Sequence, residues 1–286
     1  MTYDEWFIQY LALYKRKIKP KTRESYERLH QLLAPIHDTA LEDLTPDQLQ
    51  AALIHVEQTA GSRQAQLAYT LLSGALARAV RSGHIKSSPM AAIDKPEHVG
   101  QEGRALTPED WEAVLPEIRQ DAALALLAFA GLRRGELLGL RRGDVDLAAG
   151  LIRIRRQRVR VNGRMVTTTP KSKSGVRDVP ILPELRPILA AACRLMLPTA
   201  PLCSCAPETL ARRWRSAQER AKIREPYRLH DLRHTYATRM VLAGCNPRIL
   251  QYMIGHSTLD LTMKVYTHID GNTALQEVSR LGISLH

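Results

Sequence analysis

His230-Asp231-Leu232-Arg233, Ile254-Gly255-His256-Ser257 and Lys264-Val265-Tyr266-Thr267-His268 follow one another near the carboxyl end of a 286-residue chain. Together these segments carry cations, imidazoles and a phenol, the side chains that attack on a phosphodiester needs when no metal takes part. Leu232, Tyr236, Ala237, Met240, Val241 and Leu242 recur at helical spacing, so a helix is predicted to start at His230. His230 and Arg233 are then i and i+3 neighbours on one face of one turn, while Asp231 and His234 point elsewhere. An imidazole beside a guanidinium suits a phosphate, because arginine offers a planar fork of donors and stays charged. Taken alone, the pair reads equally well as an ordinary solvated helix start.

A second fragment lies upstream, Ala130-Gly131-Leu132-Arg133-Arg134-Gly135-Glu136-Leu137-Leu138-Gly139-Leu140. It follows the apolar run from Ala122 to Phe129, which reads as a buried helix stopped by a glycine. A further helix begins at the arginines, with Leu137, Leu138 and Leu140 packing inward. Arg133 is thereby placed at a helix start beside the core.

In order along the chain, these segments resemble the tyrosine recombinase (phage integrase) family, whose catalytic domain carries Gly-Leu-Arg-x-x-Glu-Leu, His-x-x-Arg, Gly-His and Tyr. The resemblance gives Arg133, His230, Arg233, His256 and Tyr266 the family's catalytic positions, with Tyr266 as nucleophile. It extends to the amino-terminal part: Ile18 to Tyr26 and Ala79 to Pro89 look like the family's core-site DNA-binding domain. On that likeness Lys19, Lys21, Thr22 and Arg23 are candidate DNA contacts. The family also keeps a lysine in a β-turn. Leu151 to Val161 is rich in β-formers, Asn162-Gly163 is a two-residue hairpin turn, Arg164 to Thr169 reads as the return strand, and Val176 to Ile181 as a third. Lys171 and Lys173 both fall in the loop between the second and third strands. Lys171 is favoured as general acid, and Lys173 is its rival.

Ile152 and Ile154 are even-numbered whereas Val159 and Val161 are odd, so the apolar face changes parity near Arg155-Arg156, and a bulge there is expected. Six arginines between 153 and 164 make this edge strongly positive. Arg155, Arg156 and Arg158 are candidates for neutralising DNA phosphates.

Charge points to a polyanion without help from the family. The chain has 41 Lys+Arg against 29 Asp+Glu, net +12, with a pI of about 9.8. Residues 1–98 hold 12 basic and 11 acidic side chains, which leaves 29 and 18 for the remainder. The excess therefore sits with the candidate catalytic residues. No stretch reads as a membrane span or a secretory signal, so a cytoplasmic protein is expected. Cys193, Cys203, Cys205 and Cys245 are too few and too irregular for a disulfide framework, and the Cys203-x-Cys205 spacing does not suit structural zinc.

The expected architecture is mainly α with a small antiparallel β-sheet. Residues 1–90 form a helical DNA-binding domain of four helices, with apolar repeats in Trp6–Leu13, Tyr26–Leu33, Leu49–Val56 and Leu67–Val80 and a Thr45-x-x-Gln48 capping box. Residues 91–105 form a linker, and Thr107 caps the first helix of a mixed α/β catalytic domain over 106–286. By resemblance, the two domains clamp double-stranded DNA carrying a specific recombination site. They do so as a homotetramer on two sites, with the tail 267–286 docking on a neighbour and an accessory directionality protein possible. The family's chemistry uses no metal or cofactor. No additional arm-site domain is expected before residue 1. A DNA-binding protein without chemistry and a topoisomerase-like relaxer are the competing readings.

Overall fold

The computed structural model of the chain describes residues 1–100, 103–170 and 172–256. Lys171, Tyr266 and the tail 267–286 lie outside the described residues, as does the side chain of Lys173. The chain divides into two compact units, one of residues 1–102 with 160–164, the other of 103–159 with 165 onward. The division falls within the stretch expected as a linker, and 160–164, expected in the second domain, group with the first unit. Met90 and Ile93 are buried in the first core and Leu106 in the second.

The first unit is built on four α-helices, α1 (Tyr3–Tyr14), α2 (Pro20–Leu32), α3 (Pro46–Ala60) and α4 (Ser62–Arg81). The Thr45 hydroxyl accepts from the Gln48 amide at 3.2 Å and the Gln48 side chain accepts from the Thr45 amide at 3.0 Å, the reciprocal cap its sequence predicts. Thr2 and Glu5 do the same for α1. Ala65, Ala68, Leu72, Ala75, Leu76 and Ala79 form a stripe of mostly small side chains along α4, against which α1, α2 and α3 pack. The Trp6 indole is fully buried there and donates to the Ala75 carbonyl at 3.0 Å.

The second unit contains α5 (Pro108–Gln120), α6 (Ala122–Ala130), α7 (Arg134–Gly139), α8 (Leu185–Cys193), α9 (Pro207–Arg220), α10 (Asp231–Leu242) and α11 (Pro247–Ile254). Strands β1 (Val145–Asp146), β2 (Leu151–Ile154) and β5 (Arg177–Pro180) form an antiparallel sheet in the order β1-β2-β5, and β3 (Gln157–Val161) pairs with β4 (Arg164–Thr168). Helix α6 is apolar on every side and is the centre of the core, with α5, α7, α8 and α10 against it. Asp121 caps its start by accepting from the Ala123 amide at 2.9 Å, and Gly131, left-handed at φ 60°, ends it.

The expected bulge at Arg155-Arg156 is instead a break between two sheets. Strand β2 pairs Ile152 with Val179 of β5, whereas β3 turns back through left-handed Asn162 and Gly163 to meet β4. Gly135 and Gly139 explain the break: they lie four residues apart on one face of α7, against the segment 156–158. A Cβ at Gly139 would stand 2.9 Å from the Gln157 Cα, and one at Gly135 3.2 Å from the Arg158 carbonyl oxygen. The helix thus presses on the chain where a continuous strand would pass, and the apolar parity changes because the partner changes. Among the described residues no helix is long and apolar enough to cross a membrane.

Candidate active site

Arg133 stands at the N-cap of α7, just past the turn that Gly131 makes possible. Its amide donates to Glu136 Oε2 at 2.9 Å and its Nη1 to Glu136 Oε1 at 2.8 Å. Its Nη2 donates to the Gly255 carbonyl at 2.5 Å. Arg233, buried in the first turn of α10, donates from Nη1 to the Gly131 carbonyl at 2.6 Å and from Nη2 to the Ile254 carbonyl. Three segments far apart in sequence are thereby tied together. Gly255, left-handed at φ 63°, ends α11 and turns the chain so that the carbonyls of 254 and 255 can receive the two guanidiniums.

His230 is the N-cap of α10 and His256 follows Gly255, so the two imidazoles enter from the same segments as the arginines. Burial lowers the proton affinity of His230, and the Arg233 charge lowers it further. His256 is pushed down to about 4, by burial first and then by Arg233, Arg133 and His230. Burial and the Arg133 charge press Arg233 in the same direction. These side chains therefore feel one another's charge in a poorly solvated place, a condition that an anion relieves. Asp231 is turned away: it is buried and accepts from the Arg228 amide at 2.7 Å and from Arg228 Nη2 at 3.1 Å.

Arg133, His230, Arg233 and His256 thus come together. Lys173 is described by its backbone alone, in a 3-10 turn over Lys173–Gly175. Of the candidate DNA contacts, Lys19 is the N-cap of α2, Lys21 is exposed and paired with Glu24 at 2.7 Å, Thr22 is exposed, and Arg23 is half-buried. Arg155 pairs with Asp178 at 2.6 Å and Arg156 with Asp144, so both also tie the sheet region together. Arg158 is half-buried and makes no ion pair among the described residues.

Glu136 and Arg177 have no role in the sequence reading, yet both are buried beside Arg133. The signal was parity: Arg177 alternates with Val179 on the buried face of β5, where a charge is out of place without a partner.

Among the described residues, one group has the composition of a metal site, Asp4, His30 and His37 in the first unit. His30 Nε2 lies 2.8 Å from Asp4 Oδ1, and the His30 ring is stacked between Phe7 and His37 at 3.9 and 4.1 Å. Imidazole lone pairs lie in the ring plane, and two planes only 15° apart share no nearby point for an ion. The cluster is a packed hydrogen-bonded pair. Cys203 and Cys205 are free thiols with sulfurs 3.3 Å apart.

The family model described as "Phage integrase family" matches residues 111–272. The chain is 32% identical over 276 residues to the phiRv2 prophage integrase of Mycobacterium tuberculosis, covering 90% of this chain and 72% of that one. It is 34% identical over 203 residues to tyrosine recombinase XerC 2 of Ralstonia nicotianae, covering 66% and 56%. In fold it is similar to the integrase of transposon Tn1549 solved with transposon right-end DNA, at 22% identity and a TM-score of 0.81 over 99% of this chain and all of that one. A lambda integrase dimer on a core site gives a TM-score of 0.68 at 20% identity, over 91% of this chain and 97% of that one. The chain belongs to the phage integrase family, the tyrosine recombinases. It is an enzyme of site-specific DNA recombination, one that breaks and rejoins the strands of double-stranded DNA.

Proposed function

We propose that the chain recombines DNA through a covalent 3′-phosphotyrosine link formed by Tyr266, in the integration or excision of a mobile element or prophage. The observation that supports this reading is the clustering of Arg133, Arg233, His230 and His256, close enough to feel one another's charge. Two guanidiniums stabilise charge on the nonbridging oxygens as the phosphorus becomes five-coordinate. His230, held neutral at pH 7 by its surroundings, takes the phenol proton as Tyr266 attacks. Lys171, or Lys173, gives a proton to the departing 5′-oxygen. The P–O5′ bond breaks as the P–O bond to tyrosine forms, and a 5′-hydroxyl from a partner strand later reverses the exchange. His256, also neutral, donates a hydrogen bond to the phosphate.

The assembly proposed is a homotetramer on two DNA sites in the cytoplasm, with the tail 267–286 docked on a neighbour and room for a directionality partner. The test uses duplexes enriched from a random pool by binding and then nicked beside the cleavage point. An SDS-resistant protein–DNA adduct should accumulate with the wild type and be absent with Tyr266→Phe. An adduct that survives Tyr266→Phe, or no adduct with either protein, overturns the reading.

A further inference from the structure

Arg177 and Glu136 form a buried ion pair, with side chains 0% and 1% exposed. The Arg177 guanidinium spends its donors on three separate segments. Nε donates to the Met253 carbonyl at 2.7 Å, near the end of α11. Nη1 donates to Glu136 Oε1 at 2.9 Å and to the Gly175 carbonyl at 3.2 Å, and Nη2 donates to Glu136 Oε2 at 3.0 Å. Gly255 makes room for it, since a Cβ there would stand 3.0 Å from Arg177 Nη1.

One carboxylate is thus shared by two guanidiniums. Glu136 faces Arg177 with both oxygens, while the same oxygens receive the amide and Nη1 of Arg133. Burial by itself would raise the Glu136 pKa, but the hydrogen bond and charge of Arg177, followed by those of Arg133, hold it below the usual carboxylate range. The carboxylate is therefore ionised, and two positive charges answer one negative. If Arg177 were absent, Glu136 would neutralise Arg133 alone, and the site would lose the field it directs at a phosphate.

We propose that Arg177 is a positioning residue for strand cleavage: by neutralising Glu136 it lets Glu136 orient Arg133 without cancelling the charge that Arg133 presents to the scissile phosphate. This rests on the reading of Arg133 as a phosphate-binding catalytic residue. Arg177 itself is buried beside Glu136 and acts through it. Loss of a merely structural ion pair lowers the melting temperature and leaves cleavage by the folded protein unchanged. Loss of a charge-partitioning pair changes cleavage itself, because removing both partners restores the charge on Arg133 while removing Arg177 alone does not.

The experiment measures single-turnover adduct formation at saturating nicked duplex, together with the dissociation constant for DNA and the melting temperature. Arg177→Met should cleave about 100-fold more slowly or worse, with the dissociation constant within about threefold of wild type. Arg177→Lys, which keeps the charge, should stay within about tenfold of wild type, and Arg177→Met with Glu136→Gln should recover at least about tenfold over Arg177→Met. Cleavage by Arg177→Met within about threefold of wild type, or a folded double variant no faster than Arg177→Met, overturns the proposal. Should Arg177→Met not fold, the double variant, which buries no unpaired charge, decides. Cleavage within about thirtyfold of wild type then supports the proposal, and a loss as large as that of Arg133→Ala overturns it. If wild type forms no adduct, or Arg133→Ala cleaves normally, the catalytic reading fails instead, which the same series shows separately.

Discussion

Arg133 and Arg233 donate to adjacent carbonyls, those of Gly255 and Ile254, at the end of one short helix. Both guanidiniums are thereby held by backbone oxygens where α11 ends. Donors held by backbone in this way lose little free energy to reorganisation when charge develops on a phosphate.

Arg233→Lys tests that organisation. A lysine keeps the charge but cannot span the Gly131 and Ile254 carbonyls while also facing a phosphate. Single-turnover cleavage should fall by about 100-fold or more, the usual effect of losing one donor aimed at developing charge. A variant that cleaves within about threefold of wild type would show that charge alone suffices.

Gly131→Ala should destabilise the second unit by about 2–5 kcal/mol, the sum of left-handed backbone cost and overpacking. The new Cβ would fall 2.4 Å from Cδ1 of the buried Tyr236 ring, at φ 60°. Gly163→Ala is the control. It has the same sign of φ, at 76°, but nothing within 4 Å, so only the backbone cost of about 1–2 kcal/mol is expected. Urea denaturation measures both, and equal losses would contradict the packing argument.

The imidazoles predict where activity fails in acid. His230 and His256 have proton affinities below the ordinary value of 6.5, His256 at about 4, so both remain neutral as the pH falls through 6.5. Cleavage at subsaturating DNA reports the free enzyme, so its acid limb should lie below pH 6.5, where His230 gains its proton. Stability follows the same sign. Because the folded pKa values are depressed, the unfolded chain binds more protons between about 4 and 6.5, and stability is full above 6.5 and declines as the pH falls towards 4. An acid limb at or above pH 6.5 would argue against the buried, cation-flanked setting of His230.

The arginines of the 153–164 edge should separate into two kinds. Arg156 is paired with Asp144, which also accepts from the Arg141 amide at 2.8 Å. Arg156→Ala should therefore lower the melting temperature. Arg158, which has no ion pair among the described residues, should leave stability unchanged when replaced by alanine, while DNA binding weakens and its salt slope becomes shallower by about one. Melting curves and titrations at several salt concentrations would distinguish them, and the opposite assignment would refute this division.

The sequence by itself marked several of the helices and turns, and it named the residues proposed for the active site. Thr45-x-x-Gln48 and Thr107 marked helix starts, Gly131 a helix stop and Asn162-Gly163 a hairpin, because caps and left-handed turns are set by hydrogen bonds and sterics within a few residues. The order of the Arg133, His230, Arg233 and His256 motifs pointed to one family. Tertiary structure alone decided that the Leu151–Val161 run breaks into two sheets, since the cause is the approach of Gly135 and Gly139 from another helix. It alone decided that Arg155 and Arg156 are held by Asp178 and Asp144, and that Glu136 is shared between Arg133 and Arg177. Local propensity reads a residue against its neighbours in the chain, whereas the state of a buried charge depends on which distant segment brings its counter-charge.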